Sequence, residues 1–252
     1  MSVASSIRFR IVGQRVGNVT IRAVVFDLDG TIAAFNLDYR AVRMEVRGLL
    51  ISEGIPPSIL ALNESIFEML KKTELFLKNS GKPESVVRRI RKRALAIAEK
   101  REFEAAQTTK LLPGVLETLR ALKKMKLKIG LCTINSHKAT EYILSRFRIK
   151  EYFEAVTPRD KVKFVKPNAE HLRATLKALE IKPREAVIVG DGGVDMRCAR
   201  ELGMLAVGLP TDVSPQQELV NSGANYIITT MTDLPVLLDD INRTIKRKEG
   251  QR

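Results

Sequence analysis

The apolar positions of this 252-residue chain follow two different periods. From residue 126 onward, short apolar runs alternate with helical spacings. KLKIGLCTI (126–134) predicts a buried strand and 137–147 a helix; FEAVTP (153–158) predicts a short strand and 168–180 a helix. EAVIVGD (185–191) reads as a strand, followed by a helix over 194–202, a strand LAVGL (205–209) and a helix over 215–222. A strand YIIT (226–229) and a last helix from about 233 complete the series. Upstream, VTIRAVVF (19–26) is a β-rich run that ends in the turn-forming cluster DLDGT. IRFRIV (7–12) is also β-rich, with Gly13 and Gly17 behind it, and is expected as a hairpin partner or a loose edge strand.

Between these regions the period is helical. Segments 38–53, 57–79 and 83–107 place apolar residues three and four apart, as in Ile59, Leu62, Ile66, Met69 and Leu70. Gly54, Pro56, Pro57, Gly81 and Pro83 punctuate them. The expected organisation is an N-terminal extension over 1–19, a core from 20–36 and 108–252, and a helical insert over 37–107. Regular strand–helix alternation predicts an α/β fold, a doubly wound, Rossmann-like parallel sheet with helices on both faces. The basic tail KRKEGQR is expected to fray.

Composition narrows the class. No apolar run reaches the ~18 residues of a membrane span, and MSVASSIRFR lacks the pattern of a secretory leader. A soluble, cytoplasmic protein with no membrane partner is expected. Cys132 and Cys198 are too isolated for a disulfide framework or zinc site and are expected as buried thiols. With only His137 and His171 for imidazoles, catalysis must rest on carboxylates and amines. The net charge of +14 favours anionic partners: phosphorylated metabolites, nucleic acid or membrane surfaces.

In a parallel sheet, ligands bind beyond the carboxyl ends of the strands. Asp27 and Asp29 follow the first core strand, Thr133 and Asn135 end the second, and Asp191 and Asp195 follow VIVG. Lys166 lies in the connection VKPNAEHL. Clustered carboxylates repel one another and call for a hard cation, and Mg²⁺ suits a site that also holds phosphate. A cation, a lysine and a hydroxyl around a carboxylate suit phosphoryl transfer, with the carboxylate as nucleophile.

These residues resemble the haloacid dehalogenase superfamily. DLDGT (27–31) is similar to its first motif, Thr133 to its second, Lys166 in KPNAE to its third, with Ala169 where proline is common, and GDGGVD (190–195) to its fourth. The resemblance covers about 20–35 and 110–235, and the insert has the position of the family's C1 cap. Phosphoglycolate phosphatase-like members look most similar. The resemblance implies that Asp27 takes the phosphoryl group as an aspartyl phosphate, while Asp29 acts as acid and then base. It implies that Thr133 holds phosphoryl oxygens and that Lys166 neutralises charge. Asp27, the Asp29 carbonyl, Asp191 and Asp195 would ligate Mg²⁺. Asp195 is alternatively a helix cap, and Gly30 suits the chain reversal after the strand.

Other residues carry weaker signals. Asn135 is expected at phosphate or its loop, and His137 as a solvent-facing helix start; His171 receives no role. Phe35, Asn36, Tyr39 and Arg40 enter the insert, where family members often touch substrate. Arg40 or Arg43 could bind a second anionic group. The basic stretch 82–101 is expected as a solvated helix face over Val86, Val87, Ile90, Ala94 and Ile97, rather than a polyanion contact, because aromatic residues are not interleaved.

The expected function is Mg²⁺-dependent hydrolysis of a small phosphate monoester, such as phosphoglycolate or a sugar phosphate. A phosphatase of nucleic-acid termini, or a nucleic-acid-binding module on this fold, is the alternative. A phosphomutase is a lesser one, because residues 36–105 hold no histidine. Asp29 argues against dehalogenation.

Overall fold

The computed structural model describes residues 9–11, 19–34, 36–212 and 214–249. They contain, in chain order, β1 (Phe9–Ile11), β2 (Ala23–Phe26), α1 (Tyr39–Ser52), α2 (Ile66–Asn79), α3 (Glu84–Thr108) and α4 (Val115–Lys124). Next come β3 (Lys128–Cys132), α5 (His137–Arg146), β4 (Ala155–Thr157), α6 (Ala169–Leu179), β5 (Ala186–Gly190) and α7 (Gly193–Leu202). β6 (Leu205–Gly208), α8 (Gln216–Ser222), β7 (Tyr226–Ile228) and α9 (Asp233–Glu249) follow. Two compact units result, one from Met1–Phe35 with Thr109–Arg252 and one from Asn36–Thr108.

In the first unit, seven strands form one sheet in the order β1-β7-β6-β5-β2-β3-β4. All neighbours are parallel except β1, which runs antiparallel to β7. β2 is central and buried along its whole length, and its run Ala-Val-Val-Phe therefore has no polar alternation. Ala23 and Val25 face one layer, packed with Leu172 and Leu176 of α6 and Met196 and Ala199 of α7. Val24 and Phe26 point to the opposite face, as the strand period requires. α4 and α9 pack against each other, and α4 also contacts β3.

Several expectations change. Of the two alternatives for the first run, the edge strand holds and the hairpin does not: β1 lies at the sheet edge and pairs with β7, while both sides of β2 are taken by β3 and β5. The glycines at 13 and 17 lie outside the described residues. Helix α4 was not foreseen; Gly114, at φ +76°, starts it directly after the insert returns. α9 keeps a helical backbone through Glu249, where fraying was expected from Lys246; residues 250–252 lie outside the described residues.

The insert is a three-helix unit. Asp38 caps α1, and Val42, Val46 and Leu50 line its buried face. The expected helix over 57–79 is broken: Pro57–Ile59 form a single 3₁₀ turn, and α2 starts only at Ile66. Ser65 and Glu68 satisfy each other's backbone N–H groups in a capping box, which fixes the later start. Met69, Leu70 and Leu77 of α2 meet Val87, Ile90 and Ala94 of α3 in the same apolar cluster.

The chain leaves and re-enters the first unit at one place. Ala34 N–H donates to the Lys110 carbonyl at 2.7 Å, Leu112 N–H to the Ile32 carbonyl at 3.0 Å, and the Thr109 hydroxyl to the Ala34 carbonyl at 2.7 Å. Within the insert, Asn36 Nδ2 donates to Thr108 Oγ1 at 2.6 Å. Both cysteines are buried free thiols, and burial pushes each up to about 12. No helix among the described residues is long and apolar enough to cross a membrane.

Candidate active site

The polar residues gather where β2, β3 and β5 end. The parallel register aligns Phe26 with Leu131 on one side and with Val189 on the other. Asp27 N–H donates to the Val189 carbonyl at 3.0 Å, which extends that alignment to the first carboxylate. The next residues close a tight turn: Ile32 and Ala33 N–H both reach the Leu28 carbonyl, and Gly30 N–H reaches Ala33.

Lys166 joins the two ends of the cluster. Its Nζ lies 2.8 Å from Asp27 Oδ1 and 2.7 Å from Asp195 Oδ1. The lysine and Asp195 side chains are 1 % and 0 % exposed, so this pair is fully withdrawn from water. Burial alone would lower the Lys166 amine, but the charges of Asp195 and Asp27 outweigh it and hold the amine well above its ordinary value. Burial drives Asp195 upward, against the opposing charge of Lys166.

Asp191 is the third member. Ligand oxygens of Asp27, Asp191 and Asp195 all lie within 4.8 Å of one another. Burial, then the charges of Asp27 and Asp195, raise Asp191 to about 8. Asp195 Oδ2 is buried with no hydrogen-bond partner. A buried carboxylate oxygen left without a donor is costly, and a hard divalent cation satisfies it. The donor set therefore fits Mg²⁺. Glycines make room for these groups: a Cβ at Gly190 would stand 2.5 Å from Asp195 Oδ2. Asp195 lies within the first turn of α7, whose cap is Gly192, so its bond to Lys166 and not capping fixes it.

Thr133 and Asn135 follow β3. Thr133 N–H donates to the Thr157 carbonyl at 3.2 Å, and its Oγ1 accepts the Asn135 N–H at 3.2 Å. Asn135 is buried with its Oδ1 unbonded. Asp29 sits in the turn after β2, and its carboxylate is outside the three-carboxylate cluster. The foreseen metal contact of Asp29 is through its carbonyl.

The structure adds two residues that sequence reasoning passed over. Buried Arg159 donates from its backbone to the Asn135 carbonyl and from its guanidinium to the Ile134 carbonyl, each at 3.1 Å. Asp160 accepts the N–H of His137 at the start of α5. Together they hold the loop that carries Thr133 and Asn135. Their signal was a charged pair directly after a strand, at its carboxyl end.

Of the weaker candidates, His137 is the exposed first residue of α5. Phe35 lies outside the described residues. Asn36 ties the insert's ends together, Arg40 is exposed, and Arg43 is half-buried with its Nε unbonded.

The sequence pattern of haloacid dehalogenase-like hydrolases matches residues 21–203, which include every residue of the cluster. The chain belongs to that family. Pyrophosphatase PpaX of Bacillus anthracis is 31% identical over 130 residues, 52% of this chain and 60% of the relative. The match thus spans less than two thirds of that protein. Two solved structures are similar in fold. A predicted phosphoglycolate phosphatase from Haemophilus somnus 129pt has TM-score 0.57 at 18% identity, covering 88% of this chain and 99% of its own. A β-phosphoglucomutase from Clostridium difficile has TM-score 0.61 at 21% identity, covering 90% and 99%. At these identities the likeness is one of fold.

Proposed function

We propose that this haloacid dehalogenase-like hydrolase is a Mg²⁺-dependent phosphatase of a small phosphate monoester, with Asp27 as nucleophile. The observation that carries the reading is the Asp27–Lys166–Asp195 contact beside Asp191. Lys166 holds Asp27 Oδ1, fixing the rotation of the carboxylate. An Asp27 oxygen attacks phosphorus, and the bond from phosphorus to the leaving oxygen breaks. Asp29 gives that oxygen a proton. It then takes a proton from the water that attacks the aspartyl phosphate, which returns Asp27 as carboxylate. Backbone N–H groups after Thr133, with its hydroxyl, bind phosphoryl oxygens. Asp27, Asp191, Asp195 and the Asp29 carbonyl would hold Mg²⁺, which offsets the negative charge of the phosphoryl group. The insert would serve as a cap that selects the substrate.

The polyanion alternative loses support. Residues 36–108 hold 14 Lys and Arg against 10 Asp and Glu, so they supply only +4 of the chain's +14. On α3, Arg89 and Arg93 both pair with Glu53, and Arg101 pairs with Glu45 and Glu104. Val87, Ile90 and Ala94 form the helix's buried face, with Val86 and Ile97 partly buried.

Purified protein is assayed on p-nitrophenyl phosphate, phosphoglycolate, sugar phosphates and inorganic pyrophosphate, with Mg²⁺ or chelator, beside Asp27→Asn. Activity that needs Mg²⁺ and Asp27 is expected. Activity that survives chelation or the substitution would falsify the mechanism. Turnover confined to pyrophosphate would move the substrate class to that of the Bacillus relative.

A further inference from the structure

His171, on the first turn of α6, is fully buried and lies outside the carboxylate cluster. Both of its ring nitrogens are engaged. Nδ1 lies 3.3 Å from the backbone N–H of Lys166, and Nε2 lies 3.0 Å from the carbonyl of Thr157. A backbone N–H can only donate and a carbonyl can only accept. The two partners therefore demand the neutral tautomer with its proton on Nε2. Burial, then the charge of Lys166, keeps the ring neutral by lowering it to about 4.

The two bonded groups belong to different parts of the site. The Thr157 carbonyl also accepts the N–H of Thr133. The Lys166 side chain holds Asp27 and Asp195. One rigid ring thus links the main chain of the lysine to the end of β4, whose Thr157 carbonyl holds the Thr133 N–H of the neighbouring strand end.

We propose that His171 is a positioning residue: its Nδ1 fixes the main chain of Lys166, and its Nε2–H ties that segment to the Thr157 carbonyl that anchors Thr133. The catalytic part of this inference rests on the phosphatase reading above; the hydrogen-bond part does not. Side-chain amides separate the two bonds. In His171→Asn, the amide oxygen occupies the place of Nδ1 and still accepts from Lys166. In His171→Gln, the amide nitrogen occupies the place of Nε2 and still donates to Thr157.

Three measurements on the full chain test this. In wild type, ¹⁵N NMR of the imidazole at pH 7 is expected to show the Nε2–H tautomer, and amide exchange at Lys166 is expected to be protected. In His171→Gln, Lys166 exchange is expected to quicken and kcat on p-nitrophenyl phosphate to fall by about tenfold or more, with KM nearly unchanged, because small misplacements of a reacting group cost that much. In His171→Asn, both should return most of the way toward wild type, even where the melting temperatures of the two variants match. An Nδ1–H tautomer or a charged ring would overturn the proposal, as would equal kcat in the two variants with Lys166 exchange unchanged. Should both variants fail to fold, the wild-type tautomer and exchange decide the bonds. If wild type hydrolyses no phosphate ester, the function proposed above fails, and the same two readouts still test the hydrogen bonds.

Discussion

A Cβ on Gly30 would fall 2.1 Å from Oδ2 of Asp191. The turn after β2 and the strand end of β5, 161 residues apart in sequence, therefore close on each other without room for one methyl group. Gly30 also adopts φ +73°, a conformation that costs other L-residues roughly 1–2 kcal/mol. Gly30→Ala should push the Asp191 carboxylate out of the cluster. Calorimetry is expected to show weaker Mg²⁺ binding, and kcat should drop by ~10²-fold. Metal affinity equal to wild type would mean that Asp191 is not held by this approach.

Lys166 and Asp195 are buried together, so removing one strands the other. Lys166→Met should lower stability in chelator by ~3–5 kcal/mol, the usual result of leaving a buried charge unpaired. Adding Asp195→Asn should recover much of the loss. Urea unfolding of both variants measures it, and a single-variant loss below about 1 kcal/mol would show the pair to be solvated.

Metal-free stability should fall with rising pH near neutrality. Folded Asp191 keeps its proton up to about 8, whereas its ordinary value is 3.8. Between those values the folded state binds the extra proton, so each rise in pH withdraws stability. His171 acts oppositely, but only between about 4 and its ordinary 6.5. The clean window is pH 6.5–8. There the melting temperature should decline in chelator and become flat in Asp191→Asn. A flat wild-type profile would count against a raised Asp191.

Cys132 and Cys198 should resist a thiol-reactive reagent in the folded protein, because both are buried and pushed up to about 12. Both should react once urea unfolds the chain. Rapid labelling of either in the folded state would contradict its burial.

Sequence and structure agree where a local pattern decides the outcome. Ala23–Phe26 is an apolar run cut short by Asp27-Leu28-Asp29-Gly30, so the strand and its terminal carboxylates could be read directly. Asp27, Thr133 and Asp191 were legible because each follows such a run, and Lys166 because it opens the short KPNAE pattern in a connection. α4 escaped because Val115–Lys124 runs on into the apolar KLKIGL with only Met125 between, and no turn signal marks its end. The break before α2 rests on Ser65 and Glu68, whose reciprocal bonds outweigh the apolar spacing across Leu60 and Leu62. His171 and Arg159 escaped for another reason. Their bonds go to backbone groups, and which carbonyl or N–H lies within reach is settled only when β3, β4 and the Lys166 loop assemble.

The bonds joining Ala34 to Lys110 and Thr109 give the helical insert a single socket in the sheet unit. For the sheet unit, the 73 residues of Asn36–Thr108 are one closed loop whose ends already touch. Closure entropy grows only with the logarithm of loop length, by roughly 0.6 kcal/mol per doubling. A longer, shorter or unrelated insert could be spliced into the same socket at little thermodynamic cost. The sheet that carries Asp27, Asp191 and Asp195 and the helical insert can thus change length and sequence independently of each other.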